Sequence, residues 1–170
     1  MPPQQRVPRC ETLLQPCLTP DGLEVSLHTC PRALLRELRY VFSVREDLAQ
    51  CLAIPTNQHA VMDLVNVGDN VESEKDKLLN VFMKFARPLC DAIRAEGYWA
   101  DYIDPCSGLP MLTTEGNKVY SEVEGMQALM QYPVINAGGC KVLLHPAWGS
   151  AVYPATIFTT APRGVALRLL

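Results

Sequence analysis

Residues 73–103 read SEKDKLLNVFMKFARPLCDAIRAEGYWADYI, the pattern of a helix running into a strand. Ser73 and Asp76 have the spacing of a capping box, with acidic groups at the positive end of the helix dipole. Leu78, Phe82, Phe85, Leu89 and Ile93 then recur every three or four residues, which predicts one buried helical face. Gly97 falls where a helix end takes a left-handed residue. Pro88 lacks an N–H and crowds the Lys84 carbonyl, so a kink is expected there. Tyr98–Ile103 reads as a strand, closed by Asp104-Pro105-Cys106-Ser107-Gly108, a turn by composition.

Towards the N-terminus, Leu23, Val25 and Leu27 alternate with Glu24, Ser26 and His28, the period of a half-buried strand. Thr29-Cys30-Pro31 follows, with Pro31 at a first helical position and Thr29 or Cys30 near the cap. Leu34, Leu35, Leu38, Val41 and Phe42 carry that helix to about Ser43. Cys51–Ile54 and Val61–Val67 read as two strands parted by Pro55-Thr56-Asn57-Gln58, the second ending at Gly68-Asp69-Asn70. Towards the C-terminus, residues 109–137 are weakly patterned, with short pieces near Lys118–Glu122 and Met126–Gln131. Cys140–Leu144 and Val152–Thr160 are β-rich and flank a Pro146-Ala147-Trp148-Gly149 corner. The expected organisation is a flexible, Pro-rich lead-in over 1–20, a single domain over 21–162 and a short tail over 163–170. Two helices among about six strands, without strict alternation, predict an α+β fold with a mixed or antiparallel central sheet and flanking helices. Tyr98–Ile103, Cys140–Leu144 and Val152–Thr160 are expected to share that sheet.

The chain has 170 residues, 48% of them hydrophobic, enough for one core and too little for two. Fifteen basic residues against 18 acidic ones leave a net charge of −3, which gives no electrostatic footprint for nucleic acid. The longest apolar stretch, Val142–Phe158, is broken by His145, Pro146, Gly149 and Pro154, well short of the roughly 18 apolar residues a membrane helix needs. Residues 1–9 lack the apolar core of a secretory signal, and Pro2, Pro3 and Pro8 oppose an amphipathic leader helix. A cytoplasmic location is therefore expected, or a mitochondrial one if the true start lies upstream. The seven cysteines, Cys10, Cys17, Cys30, Cys51, Cys90, Cys106 and Cys140, contain no C-x-x-C and no zinc spacing. Free thiols are expected, most of them buried as small apolar groups.

Standard cofactor signatures fail in order. There is no G-x-G-x-x-G, no phosphate-binding G-x-x-x-x-G-K-[ST], no G-x-S-x-G and no H-E-x-x-H. A D-x-H-x-x-G cobalamin-ligating motif is missing too. Gly138-Gly139-Cys140-Lys141 places a thiol beside two permissive glycines and a cation able to favour the thiolate. His145 lies at an odd offset, so on one strand it faces away from Cys140 and a Cys–His pair is not expected. Cys140 is then either a reactive thiol or a small residue after a turn. Asp101 and Asp104 also fall on opposite strand faces. Asp104 before Pro105 suits turn initiation, and Asp101 stays open. Trp99 and Trp148 suit a core edge or an interface equally.

The run Arg94-Ala95-Glu96-Gly97-Tyr98-Trp99-Ala100-Asp101-Tyr102-Ile103-Asp104-Pro105 with Ser107-Gly108-Leu109 resembles the signature of the methylmalonic aciduria and homocystinuria type D protein family, the CblD cobalamin-trafficking proteins. The resemblance extends to Thr29-Cys30-Pro31, Gly139-Cys140-Lys141-Val142, His145, Trp148-Gly149 and Ile157-Phe158-Thr159. It implies a fold similar to flavin-dependent nitroreductases in a protein that is not an enzyme. Such a protein binds neither flavin nor free cobalamin appreciably. It docks on the type C cobalamin-processing protein and helps direct cofactor to methionine synthase or methylmalonyl-CoA mutase. It also implies that Cys140 reaches the cobalt of cobalamin only within that complex, a soft thiolate suiting a transition metal. Tyr98, Trp99, Asp101, Gly138, Gly139, Lys141 and Trp148 are the expected docking residues. The sequence departs from the pattern at Gly139, where some members carry a cysteine to which the cobalt bond is assigned. A small flavin-type oxidoreductase is the alternative, resting on fold analogy alone.

Overall fold

The computed structural model describes residues 10–43, 48–113 and 116–170. In chain order the elements are β1 (Thr12–Leu18), β2 (Leu23–Thr29), α1 (Arg32–Val41), a 3-10 turn (Leu48–Gln50), β3 (Leu52–His59), α2 (Asp69–Ala95) and β4 (Ala100–Tyr102). They continue with α3 (Glu122–Met130), β5 (Val134–Ala137), β6 (Cys140–Leu143), β7 (Val152–Thr159) and α4 (Arg163–Leu169). Five strands form one antiparallel sheet in the order β1-β2-β3-β7-β4, and β5 and β6 pair by themselves. The expected α+β class holds, with an antiparallel sheet throughout.

Strand alternation divides the core into two layers. Leu23, Val25, Leu27, Leu52, Ile54, Ala155 and Ile157 meet Phe82, Ala86, Leu89, Cys90 and Ile93 of α2 and Ala166 of α4. On the opposite face, Ala53 and Phe158 meet Leu34, Leu38 and Val41 of α1 and Leu129 of α3. The base of the β5–β6 hairpin joins this side through Leu143 against Met126 and Val152.

Several expectations need correction. Residues 1–9 fall outside the described residues, but order does not begin at Asp21. Thr12–Leu18 pairs with β2 as an irregular edge strand, which Pro16 and its exposed side chains hide in sequence. The 163–170 tail is helix α4, fixed by buried Ala166 and by Arg168 on Glu96 at 2.6 Å. Leu52–His59 is one strand rather than the start of two. Its polar stretch is buried with partners: Thr56 Oγ1 donates to the Ala155 carbonyl (2.9 Å) and Gln58 Nε2 to the Leu78 carbonyl (2.7 Å). Pro55 is tolerated because β2 pairing skips Ser26 and Leu27 beside it, while Pro55 keeps register with Thr156 of β7. Val61–Val67 is loop, with Val61 and Val67 exposed.

Helix α2 starts at Asp69, a turn before the expected cap. Its N-cap, Gly68, makes no side-chain cap bond. Buried Val71 holds the extra turn, as does Glu74, whose Oε1 accepts from the Val61 N–H at 3.2 Å. The helix continues through Pro88 to Ala95. Leu78, Phe82, Leu89 and Ile93 are buried as expected, whereas Phe85 is half-buried and Ala86 and Cys90 complete the stripe. Only Cys51 and Cys90 among the cysteines are buried; Cys17, Cys106 and Cys140 are exposed and Cys10 and Cys30 intermediate. Cys140–Leu143 belongs to the separate hairpin rather than the central sheet. No helix among the described residues is long and apolar enough to cross a membrane.

Candidate functional site

The hairpin turn is two residues long, since Ala137 pairs with Cys140. Gly138 (φ +57°) and Gly139 (φ +86°) are both left-handed, as a type I′ turn requires, and this turn matches the twist of the flanking strands. A Cβ at either glycine would have open space around it, so backbone conformation rather than packing selects glycine. Gly138, Gly139, Cys140 and Lys141 are all exposed. Cys140 stands at the mouth of a cleft of about 280 Å³ lined by Leu64, Val65, Val142, Val152 and Pro154. The far wall is anchored where Ser150 Oγ donates to Asp63 Oδ2 at 2.9 Å. Lys141 leaves on the other strand face, its Nζ 2.8 Å from Glu124 Oε1 of α3. That pairing holds the Glu124 carboxyl below its ordinary value. The lysine charge is therefore directed at α3, not at the thiol, which corrects the expected thiolate partnership.

The hairpin base rests on an aromatic stack. Trp148 lies between two imidazoles, 4.0 Å from His145 and 5.2 Å from His59, at interplanar angles of 12° and 6°. His145 Nδ1 accepts from the Ala147 and Trp148 N–H groups (3.1 and 3.3 Å), leaving Nε2 to donate to Glu24 Oε1 at 3.0 Å. The Tyr132 hydroxyl also reaches Glu24 Oε1, at 3.4 Å, and burial pushes that phenol up to about 12. Both His145 nitrogens are engaged and its side chain is buried, so no Cys140–His145 dyad forms, as the strand offset implied. Sequence reading left the histidines scattered, and the meeting of His59 with His145 carries no local signal. Each is brought there by a long-range connection, through β3 and through the 145–149 corner.

Three expected docking residues, Gly138, Gly139 and Lys141, gather at the hairpin tip around Cys140, and Trp148 packs half-buried at its base. The remaining three do not join them. Asp101 is wholly buried and accepts from the N–H groups of Tyr102, Leu112 and Thr113 at 2.7, 2.9 and 2.6 Å. Trp99 is 8% exposed, edge-on to Phe42 at 4.8 Å, with Nε1 on Thr113 Oγ1 at 3.3 Å. Tyr98 is half-buried against the α2 core. Trp99 and Asp101 therefore serve to hold the 110–113 segment against β4, and this corrects their assignment to an interface. Asp104 does what the turn reading required, accepting from the Cys106 N–H (3.0 Å) and the Ser107 hydroxyl (2.8 Å).

Beneath the hairpin, α3 contributes a group that sequence reading missed. Ser121 caps the helix through the Glu124 N–H, and the next residue, Glu122, turns into the core. Its two oxygens accept from the Thr156 N–H (3.1 Å) and hydroxyl (2.7 Å). Burial nevertheless pushes this carboxyl up to about 7, because two hydrogen bonds do not replace the lost hydration. The buried Tyr120 hydroxyl lies close against the α3 backbone, where only a glycine, Gly125, leaves it room.

The described residues thus form an α+β domain with an exposed thiol, Cys140, beside a two-glycine hairpin turn. A profile of the methylmalonic aciduria and homocystinuria type D protein family matches residues 2–168, and the chain belongs to that family. Its relatives include the cobalamin trafficking protein CblD of Rattus norvegicus, 32% identical over 94% of this chain and 52% of the relative. That of Homo sapiens is 31% identical over the same shares, and that of Gallus gallus 33% identical over 95% of this chain and 53% of the relative. The chain spans about half the length of the curated relatives it matches. These comparisons lend no support to an oxidoreductase.

Proposed function

We propose that the chain is a non-enzymatic adaptor in cobalamin trafficking. It docks on the type C cobalamin-processing protein and offers Cys140 to the cobalt of cobalamin held by that partner. The observation that carries this reading is the placement of Cys140, exposed at a two-glycine turn with nothing within 4 Å of where a Cβ would stand on either glycine. A thiol there approaches a partner's ligand without steric hindrance. Gly139, with its φ of +86°, occupies a conformation a cysteine would adopt only at a cost of ~1–2 kcal/mol, so the thiol role falls on Cys140. The adjoining cleft, about 280 Å³, falls just below small-molecule sites at roughly 300–1,000 Å³ and does not enclose a corrin. Cobalamin therefore binds to the complex, and free cobalamin binds this chain poorly. Methionine synthase and methylmalonyl-CoA mutase are the two destinations consistent with such an adaptor, in the cytosol and the mitochondrion respectively.

The test is a titration of type C protein loaded with cob(II)alamin by this chain, native and Cys140→Ser, followed by absorbance and electron spin resonance. Co-purification with and without cobalamin reports docking separately. Docking by both chains, with the spectral change lost only in the variant, is the expected outcome. Identical spectra for the two would overturn ligation, and failure of the native chain to co-purify would overturn the adaptor reading.

A further inference from the structure

Cys10, the first described residue, Cys30 just after β2 and Cys51 just before β3 bring three thiols into one row. Thr12 is opposite His28 in the β1–β2 ladder, and His28 and Thr29 are opposite Ala53 and Leu52 in the β2–β3 ladder. The same registers, carried past the strand ends, set Cys10 across from Cys30 and Cys30 across from Cys51. All three sit in the core layer beneath α1. They differ in where their hydrogens go. The Cys10 thiol donates to the Thr29 carbonyl at 3.1 Å and the Cys51 thiol to the Leu52 carbonyl at 3.6 Å, whereas the Cys30 thiol has that of Cys51 as its neighbour. The Cys51 N–H donates to the Leu48 carbonyl of the 3-10 turn at 2.9 Å and so does not reach across to Cys30. Thr29 turns its N–H to the Glu11 carbonyl on the β1 side at 2.9 Å, so strand alternation sets Cys30 against Cys51 at a hydrogen-bonded position of the ladder, with Cα atoms about 5.5 Å apart. Such spacing lies inside the ~4.4–6.8 Å range that a disulfide requires. Both cysteines also line a cleft of about 440 Å³ shared with Glu11, Thr29, Pro162 and Arg163, through which a small oxidant can enter.

We propose that Cys30 and Cys51 form a redox modification site, a thiol pair that hydrogen peroxide closes to a cross-strand disulfide. Two S–H bonds and the peroxide O–O bond break, and one S–S bond forms. The two sulfurs are each oxidised by one electron, and the peroxide is reduced to two molecules of water that carry away both thiol protons. The bond ties the residue before Pro31 and α1 to the start of β3, enclosing α1 in a covalent loop. The neighbouring Cys51 thiol and burial together hold the Cys30 thiol well above its ordinary value. Because the thiolate is the reacting form, closure is slow near neutrality and accelerates as pH rises. The site stands apart from Cys140 and does not depend on the adaptor reading.

The experiment treats the full reduced chain with hydrogen peroxide at a series of pH values. Remaining thiols are then alkylated and the chain is cut with trypsin, which cleaves between the two cysteines at Arg36 and Arg39, before mapping without reductant. A second chain with Cys17, Cys106 and Cys140 replaced by Ser removes the exposed competitors. Both chains are expected to give a peptide pair joining Cys30 to Cys51, lighter by two hydrogens and formed faster at higher pH. Cys10→Ser leaves it unchanged, while Cys30→Ser abolishes it. Alkylation of both thiols after peroxide treatment, or a Cys10–Cys30 link in their place, would overturn the proposal.

Discussion

Against α2 the sheet presents Leu23, Val25, Leu27, Leu52, Ile54, Ala155 and Ile157. Its polar members on that side, Thr56 and Gln58, each donate to a backbone carbonyl. Against α3 and the hairpin, the same strands present Glu24, Ser26, His28, Asn57 and Thr156, and Glu122 and His145 reach in to meet them. There Asn57 Oδ1 and the Tyr120 hydroxyl are buried without a hydrogen-bond partner. One face is thus closed by apolar packing, which is insensitive to pH. The other is apolar beneath α1, but beneath α3 and the hairpin base it is closed by directed polar contacts that include titratable groups such as Glu122 and His28. The exposed thiol belongs to the second face.

The largest expected effect lies on the first. Phe82 is wholly buried, edge-on to Tyr102 at 5.8 Å, and Phe82→Ala is expected to cost ~3–5 kcal/mol. Urea melts check it. A midpoint indistinguishable from that of the native chain would mean that the α2 face does not dominate the core.

The polar face is expected to show itself in pH. Glu122 keeps its proton up to about 7 in the fold against 4.5 ordinarily, so its contribution is complete below 4.5 and is lost as pH rises to 7. His28 behaves oppositely. Burial, with Thr12 and Ser26 at its ring nitrogens, lowers it to about 4 from 6.5, so its contribution is complete above 6.5 and is lost as pH falls to 4. At ~1.4 kcal/mol per pH unit, each amounts to about 3 kcal/mol, and the two oppose each other between pH 4.5 and 6.5. Glu122→Gln removes one arm, leaving stability that climbs with pH across that window. Urea midpoints from pH 4.5 to 8 give the slopes, and parallel curves for native and variant chains would break the contrast between the faces.

The same contrast decides what could be read from the sequence. Leu78, Phe82, Leu89 and Ile93 announce the α2 face because apolar burial repeats with the helical period. Gly97, with its φ of +89°, marks the helix end for an equally local reason. Glu122 and His59 announce nothing, because their partners Thr156 and Trp148 are distant in the chain and a polar residue looks the same whether solvated or bonded. Pro55-Thr56-Asn57-Gln58 misleads for that reason, reading as a break where the ladder to β7 supplies the burial. Val61–Val67 misleads in reverse, since β-branched residues imply a strand and no neighbour pairs with them. At the site, the Gly138-Gly139-Cys140 turn was legible and the destination of Lys141 was not. Trp99 and Asp101 stand out in sequence as a motif, but what they recognise is the chain's own 110–113 segment.

The smallest effect tests whether the hairpin tip is independent of either face. Gly139→Ala places a Cβ in open space, so no contact is lost and only the left-handed φ of +86° is penalised, at ~1–2 kcal/mol. Because β5 and β6 pair only with each other, that strain is expected to be relieved by local reshaping of the turn, which moves the neighbouring thiol. Global unfolding should then change by less than the full penalty, while alkylation of Cys140 by a bulky maleimide changes rate measurably. Cys140→Ser, at an exposed position, is expected to stay within about 0.5 kcal/mol of the native chain. If Gly139→Ala instead lowers the urea midpoint by the full amount with Cys140 reactivity unaltered, the tip is rigidly coupled to the α3 face. The thiol would then be a fixed part of the polar layer rather than a group presented beyond it.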